Sequence, residues 1–475
     1  MSYADYYGRT AVRSRVENNF PLGFPSLEED RIDLAQTLGA KRVLNSAIDS
    51  ARSSRAKMTT KKNKRTIKAS AASGRGKKDR TEKYVQKRGK IVQASIAILN
   101  QEGIRGMTIA RVAEQFGFER KGINYYFANK DALSAACFLD TLARYEALIA
   151  DAADAPSLEA RIRRLISGYF EIQSGITRGE MAELARFDDL RALGNAKIVA
   201  AYIAMFRNTR ALLDDGPHNR ADRVALNVRT HFLLQQMYWT GEWLKNYAPQ
   251  DFAGAADRML KILIGGIGSG RRAWSPDPLK FEIATGEADS HREVFLREAT
   301  RLINEQGYRG ASVDKIAARL DVTKGSFYHH LESKDELVRA CFVRTIAVMR
   351  GMQGVAQNLE GDGRTRLTAA LASLVDQQLS GEVPLLRIAT ASVPEATRKE
   401  ILTDFNRVTV GFGAMAYSGV NDGSLRLVDI QIAAEMITIL IPAASELSLW
   451  LPDTSHKRAT ETFVQILFDG LVPAE

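Results

Sequence analysis

The sequence predicts an all-α protein made of two tandem copies of one helical unit, and three observations predict it. Ala, Leu, Arg and Glu are abundant while only 12 of 475 residues are Pro, a balance that favours helix. Side chains recur at helical spacing: Ile91, Ser95, Ile98 and Leu99 share one face, as do Phe295, Ala299, Leu302 and Ile303. The chain also repeats itself at a constant offset of 204 residues. Gln101-Glu102-Gly103-Ile104-Arg105-Gly106 answers to Glu305-Gln306-Gly307-Tyr308-Arg309-Gly310, and Asn129-Lys130-Asp131-Ala132-Leu133 to Ser333-Lys334-Asp335-Glu336-Leu337. Ala136-Cys137-Phe138 recurs as Ala340-Cys341-Phe342, and residues 263–267 match 467–471. A period this long is a duplicated domain, not a solenoid unit.

The N-terminal extension, residues 1–82, matches neither copy. Met58 offers an alternative start, and residues 58–82 are rich in Lys, Ser, Ala and Thr, a composition that reads as disordered. Residues 52–90 carry a net charge of +14 against −4 for the rest of the chain, so the overall +10 reports a basic arm rather than basic domains. That arm is either a solvated tail or a source of extra phosphate contacts beside the first copy. No apolar core of a secretory signal follows Met1, and no stretch reaches the roughly 18 apolar residues of a membrane span. No membrane partner is expected. Cys137 and Cys341 stand at equivalent places and read as two buried structural thiols, with a redox switch as the other possibility.

Each copy opens with the same succession of helices. Gly103 and Gly307 stop the first helix, as C-terminal glycines do. Thr108 and Ser312 are N-caps for a second helix, with Val112-Ala113 and Ile316-Ala317 facing inward. Gly117 and Asp321 end it, both tolerant of the left-handed conformation of a tight turn. A short third helix spans 119–126 and 323–330. Asn129 and Ser333 cap a fourth, and Ser333 with Glu336 has the spacing of a capping box. Two helices joined by so short a turn form a helix-turn-helix unit.

The two segments are Gly117-Phe118-Glu119-Arg120-Lys121-Gly122-Ile123-Asn124-Tyr125-Tyr126-Phe127 and Asp321-Val322-Thr323-Lys324-Gly325-Ser326-Phe327-Tyr328-His329-His330-Leu331. Both resemble the DNA-binding domain of TetR/AcrR-type transcriptional regulators, the second more closely. The first departs at Glu119, where Ser or Thr is usual, and at Asn124, where Tyr is usual. The resemblance implies a three-helix head at 83–145 with a helical effector and dimerisation body at 146–267. After a linker at 268–288, a second head follows at 289–349 and a second body at 350–475.

The third helix of each head must enter a major groove about 12 Å wide. Gly122, Gly325 and Ser326 permit close approach. Arg120, Lys121 and Lys324 reach phosphates or guanine edges, and Asn124 can read adenine. Tyr125, Tyr126, Tyr328, His329 and His330 place hydrogen-bonding tips near phosphate oxygens. Lys130 and Lys334 open the fourth helix, whose dipole also favours an anion. Thr108, Ser312 and Thr323, as caps, complete the expected DNA-contacting set. By resemblance, Phe127 and Leu331 are packing residues. A helix-turn-helix that only packs is the alternative for either copy.

Nothing in the chain points to a cofactor, a metal site or an enzyme. His329-His330 lacks a completing Cys or carboxylate, and adjacent helical residues diverge by about 100°. Gly265-Gly266-Ile267-Gly268-Ser269-Gly270 lacks the strand before it that a nucleotide loop needs, and reads instead as a frayed helix end. The bodies carry broad apolar surfaces, Phe232, Leu233, Leu234, Met237, Tyr238, Trp239, Trp243 and Leu244 in the first, and Ile430, Ala434, Ile437, Ile441, Leu447 and Trp450 in the second, with Pro442 expected to kink its helix. The resemblance implies that the last two helices of each body form a dimer interface and the middle ones enclose a small-molecule effector. The expected protein is therefore a sequence-specific, ligand-responsive repressor that reads double-stranded DNA with residues 108–127 and 312–331. It pairs its own halves as an intrachain pseudo-dimer, leaves further homo-oligomerisation open, and works in a bacterial cytoplasm at the nucleoid. The alternatives are a regulator in which only the second head reads DNA, and a ligand-binding or interaction module without DNA recognition.

Overall fold

The computed structural model describes residues 72–187, 195–216, 220–281, 283, 287–310, 313–320, 333–381, 385, 395–451 and 454–472. Among them the chain is helical. The single β pairing among the described residues is an isolated bridge between Gly268 and Leu425. The first copy contains α1 (Ala72–Gly106), α2 (Ile109–Phe116), α3 (Arg120–Tyr126), α4 (Lys130–Ala153), α5 (Leu158–Thr177), α6 (Ala196–Leu213), α7 (Arg220–Trp243) and α8 (Phe252–Gly265). The second contains α9 (Glu287–Gly310), α10 (Val313–Arg319), α11 (Lys334–Gln357), α12 (Gly363–Ser380), α13 (Glu395–Asn421), α14 (Ile430–Ala444), α15 (Leu447–Trp450) and α16 (His456–Asp469).

The helices begin and end where side chains satisfy their free backbone groups. Thr108 accepts from the Arg111 amide, Asn129 from Ala132 and Ser333 from Glu336. Gly103 breaks α1 at φ 68°, and one further turn carries the helix on to Gly106. Gly117 ends α2 in the left-handed region at φ 66°. α1 starts at Ala72, inside the stretch that composition reads as disordered. The reason is cooperative: the anchored segment from Ile91 onward supplies the nucleus, and Ala, Lys, Arg and Glu extend a helix at little cost. Pro442 sits in the final turn of α14, which stops at Ala444.

Duplication is visible in three dimensions. The Cys137 thiol donates to Val92 O and the Cys341 thiol to Leu296 O, each at 3.7 Å and each fully buried. Burial pushes both thiols up, Cys341 to about 12, which suits structural thiols. The core of the first head runs without interruption into the bodies, while the second head has its own small core, shared with Ile401.

The terminal helices of the two bodies pack on each other, α7 and α8 against α14 and α16. Behind them the backbones of the two copies cross. Ile267 N donates to Leu467 O and Leu471 N to Leu263 O; Gly268 N donates to Phe468 O and Val472 N to Ile264 O. Each pair of bonds maps onto the other when 204 is added or subtracted, the signature of a local two-fold axis within one chain. A Cβ on Gly266 would collide with the Phe468 carbonyl, and one on Gly470 with the Ile264 carbonyl. The glycine-rich run is thus a tight crossing point rather than a frayed end.

The connection beyond it is pinned. Ser269 N donates to Ser424 O, Arg426 N to Ile267 O, Arg364 to Gly270 O and Leu279 N to Ser373 Oγ, and Leu279 is buried. Arg272 pairs with Asp362 at 2.5 Å. Residues 269–279 therefore lie along the second body instead of spanning a gap.

Candidate nucleic-acid interface

In the first head, α3 is held by two inward residues. Ile123 is fully buried and Phe127 nearly so, which fixes the roll of the helix. That roll leaves Arg120, Lys121, Gly122, Asn124 and Tyr125 facing solvent, with Tyr126 half-buried. Tyr125 is 73% exposed, so its ring and hydroxyl face outward from α3. A Cβ at Gly122 would make only an ordinary contact with Glu119, so the fold does not require glycine there. The small residue instead keeps the outer surface of α3 low. Glu119 caps the helix with no side-chain hydrogen bond, consistent with its departure from the usual Ser or Thr. Thr108 is exposed at the start of α2, and Lys130 is half-buried at the start of α4.

Two residues outside the sequence-based set join this surface. Tyr84 on α1 packs against Tyr126 and Tyr125, with ring centroids 4.8 and 5.9 Å apart, and Tyr125 and Tyr126 meet edge-on at 5.1 Å. Arg88 lies over the Phe127 ring at 4.8 Å. Tyr84, Arg88 and Ile91 continue one stripe of α1 toward the reading helix, at spacings of four and three. That periodicity was the signal available in sequence, masked by the basic low-complexity composition around it. Lys87 and Lys90 on the same helix are exposed.

In the second head, α11 starts from the Ser333 cap as α4 does from Asn129, and Ile316 and Leu337 lie in the core. Lys334 is half-buried at the start of α11. Ser312, Thr323, Lys324, Gly325, Ser326, Tyr328, His329, His330 and Leu331 lie outside the described residues. The first turns of α9 differ from α1 in charge. Residues 83–90 carry four Lys/Arg and no acid, whereas 287–294 carry Glu287, Asp289 and Glu293 with one Arg.

Each head is latched to its body by an equivalent asparagine. Asn100 donates to Glu183 Oε2 at 2.8 Å and Leu184 O at 2.9 Å, and accepts from Arg186 N at 3.0 Å. Asn304 donates to Leu385 O at 2.9 Å, itself held by Gln378. In the first copy the path continues, because Arg186 pairs with Glu242 on the interface helix α7 at 2.6 Å. Burial alone would raise the Glu242 carboxyl; Arg186 and Lys245 overcome it and hold the group below its usual value.

Among the described residues no helix is long and apolar enough to cross a membrane, and no three His, Cys, Asp or Glu side chains are grouped to hold a metal ion.

The model of "Bacterial regulatory proteins, tetR family" matches twice, at residues 91–137 and 295–341, again 204 residues apart. The chain is similar to the HTH-type transcriptional repressor DhaR of Mycobacterium sp., 23% identical over 188 residues that make up 38% of this chain and 93% of DhaR. It is 36% identical over 90 residues to the HTH-type transcriptional activator FasR of Mycolicibacterium smegmatis, covering 18% of this chain and 40% of FasR. A 57-residue stretch, 12% of this chain, is 37% identical to the Transposon Tn10 TetC protein of Escherichia coli and covers 29% of it. Among solved structures, the TetR family transcriptional regulator PfmR of Thermus thermophilus aligns with a TM-score of 0.31 at 19% identity, over 37% of this chain and 98% of PfmR.

Proposed function

We propose that this chain, which belongs to the tetR family of bacterial regulatory proteins and carries two of that family's DNA-binding domains in tandem, reads two unlike DNA half-sites as an intrachain pseudo-dimer. It is a DNA-binding transcriptional regulator; the pairing, the ligand response and repression are our reading. The observation that carries the pairing is the reciprocal set of backbone hydrogen bonds between residues 263–268 and 467–472, which joins the bodies about a local two-fold axis. A two-fold axis between heads is what a helix-turn-helix dimer needs to meet half-sites roughly 34–36 Å apart.

Arg120, Lys121, Asn124 and Tyr125 of the first head, with Lys324, Ser326 and Tyr328 of the second, supply the base and phosphate contacts in this reading. Because the two sets differ, the operator is an imperfect palindrome. The ligand response runs through the Asn100 latch and the Arg186–Glu242 pair: a small molecule bound in the first body shifts the population toward head spacings that no longer fit the operator. We assign the effector to the first body because its interior gathers Tyr145, Tyr169, Phe187, Tyr202 and Tyr238 within ring-contact distance. The second body has Met349 and Pro442 at the positions equivalent to Tyr145 and Tyr238, and its α12, the counterpart of α5, carries no tyrosine. Repression agrees with DhaR, the relative aligned along nearly its full length.

A footprint of the purified chain on genomic fragments tests the whole. Two protected half-sites of unlike sequence are expected, each lost separately in R120A/Y125A and K324A/Y328A. A single half-site lost only with the second pair would leave the first head as a sensory partner. No preference for any fragment over random duplex would remove the reading.

A further inference from the structure

We infer that the interface between the two bodies accepts only unlike partners: a first body fits a second body and rejects another first body. This rests on the pseudo-dimer reading and adds a partner specificity to it. The argument compares positions that the local two-fold axis exchanges.

The centre of the interface holds one pair of exchanged contacts. His231 Nε2 donates to Ala443 O at 2.9 Å, and Trp239 Nε1 donates to Glu435 Oε2 at 3.0 Å. Positions 231 and 435 are equivalent, as are 239 and 443, so the same geometric site is His against Ala on one side and Glu against Trp on the other. Glu435 is only 8% exposed, and burial raises its carboxyl while the Trp239 bond opposes the rise. Two second bodies meeting through this face would set each Glu435 against an alanine with no side-chain donor, burying two carboxylates unsatisfied. Two first bodies would set each His231 against an indole where the fold leaves room for a methyl group.

The rim repeats the logic. Trp450 of the second body stacks flat on Phe206 of the first, with centroids 3.5 Å apart. The position equivalent to Trp450 in the first body is Asn246, which is exposed, so the exchanged half of the rim has no indole to stack. Arg258 pairs with Asp429 at 2.7 Å, while the exchanged positions are Thr462 and Ala225. Neither body carries both members of any of these pairs. A duplicated homodimer has thus been rewritten into a lock and a key, which bars pairing between first bodies of separate chains and with homodimeric proteins built on the same interface.

Swapping the central residues across the axis tests this in the full chain. H231E/W239A converts the centre to second-type on both sides, and E435H/A443W to first-type on both sides. All four substitutions together restore an unlike pair in reverse. Thermal unfolding is followed for each. The half-swaps are expected to lower the midpoint by about 5–10 °C, and the fourfold variant to recover more than half of the larger loss. A fourfold variant no better than the worse half-swap overturns the inference. Should H231E/W239A fail to fold, E435H/A443W against the fourfold variant decides it. Light scattering of the wild type separates the two readings: an obligate assembly of two chains would overturn the intrachain pairing alone, since unlike bodies of different chains would still obey the swap.

Discussion

Neutralising three cations beside the first reading helix should make operator binding less sensitive to salt by a calculable amount. Lys87 and Lys90 lie on α1 and Lys121 on α3, and all three are exposed. The packing of Tyr84 on Tyr125 and Tyr126 holds α1 against α3, so the three charges are carried by helices fixed to each other rather than by a mobile arm. If each neutralises one phosphate, K87Q/K90Q/K121Q lowers the slope of log K against log salt by about 2.7, from roughly 0.9 per phosphate contact on B-DNA. Between 50 and 200 mM salt the wild type then loses about 40-fold more affinity than the variant. Fluorescence anisotropy on the footprinted operator, in a KCl series at constant pH, measures both slopes. K261Q/K457Q, which removes two exposed cations from the outer faces of α8 and α16, serves as the control and should leave the slope unchanged. Exposed substitutions of this kind cost little stability, so all variants should unfold at similar temperatures. A triple variant whose slope stays within one unit of the wild type refutes the patch, whatever its affinity at a single salt concentration.

Three further outcomes concern stability. G470A and G266A each force a methyl group into a carbonyl of the other copy at a positive φ, and should each cost more than about 3 kcal/mol, read by urea unfolding; a cost below about 1 kcal/mol in both would mean the crossing is not formed. N100A removes three hydrogen bonds between α1 and residues 183–186, at about 1 kcal/mol apiece; hydrogen exchange in residues 182–187 should accelerate while that of α7 stays slow, and uniform acceleration would contradict a local latch. Glu293 receives Arg344 at 2.9 Å and Arg297 at 2.8 Å, which overcome its burial and hold its carboxyl below the usual value. Its folded pKa lies below its unfolded one, so it stabilises the fold above about pH 4.3 and that contribution disappears as pH falls through the folded value. E293Q, which takes one carboxylate away from buried Arg344, should cost about 1.5–3 kcal/mol at pH 7, the range for hydrogen bonds to charged groups, and flatten the acid limb of the stability curve; an unchanged acid limb would argue against the pair.

What was legible in the sequence was local. Thr108, Gly117 and Asn129 announce helix ends because a cap or a left-handed turn involves residues at most four apart. The inward faces at Ile91, Val112 and Ile123 follow from helical periodicity alone. Tyr84 and Arg88 were legible only as a four-and-three spacing leading to Ile91: they sit in a stretch whose composition suggests a solvated tail, and their partners Tyr126 and Phe127 are some forty residues away. The same holds for Gly266 and Gly470. Read alone, a glycine after a helix is a stop signal; the backbone that excludes a side chain there belongs to the other copy. Departures of the first reading helix, Glu119 and Asn124, were visible, and so was a basic arm beside the first copy, but not that Tyr84 packs that segment against α3.

These differences between copies have a common physical origin. A homodimer must satisfy every contact twice with one sequence, so a residue useful on one side of the axis is imposed on the other. Fusing the copies removes that constraint. Trp450 can stack on Phe206 without requiring an aromatic at 246, and the basic entry helix of the first head can coexist with the acidic one of the second. The backbone crossing, which has no side chain to diverge, keeps its two-fold symmetry, while the side chains around it have lost theirs. Asymmetry should therefore be greatest where single side chains decide the energy, at the centre of the interface and on the DNA-facing helices. That is the pattern expected if the two heads are to recognise different half-sites while the axis between them is preserved.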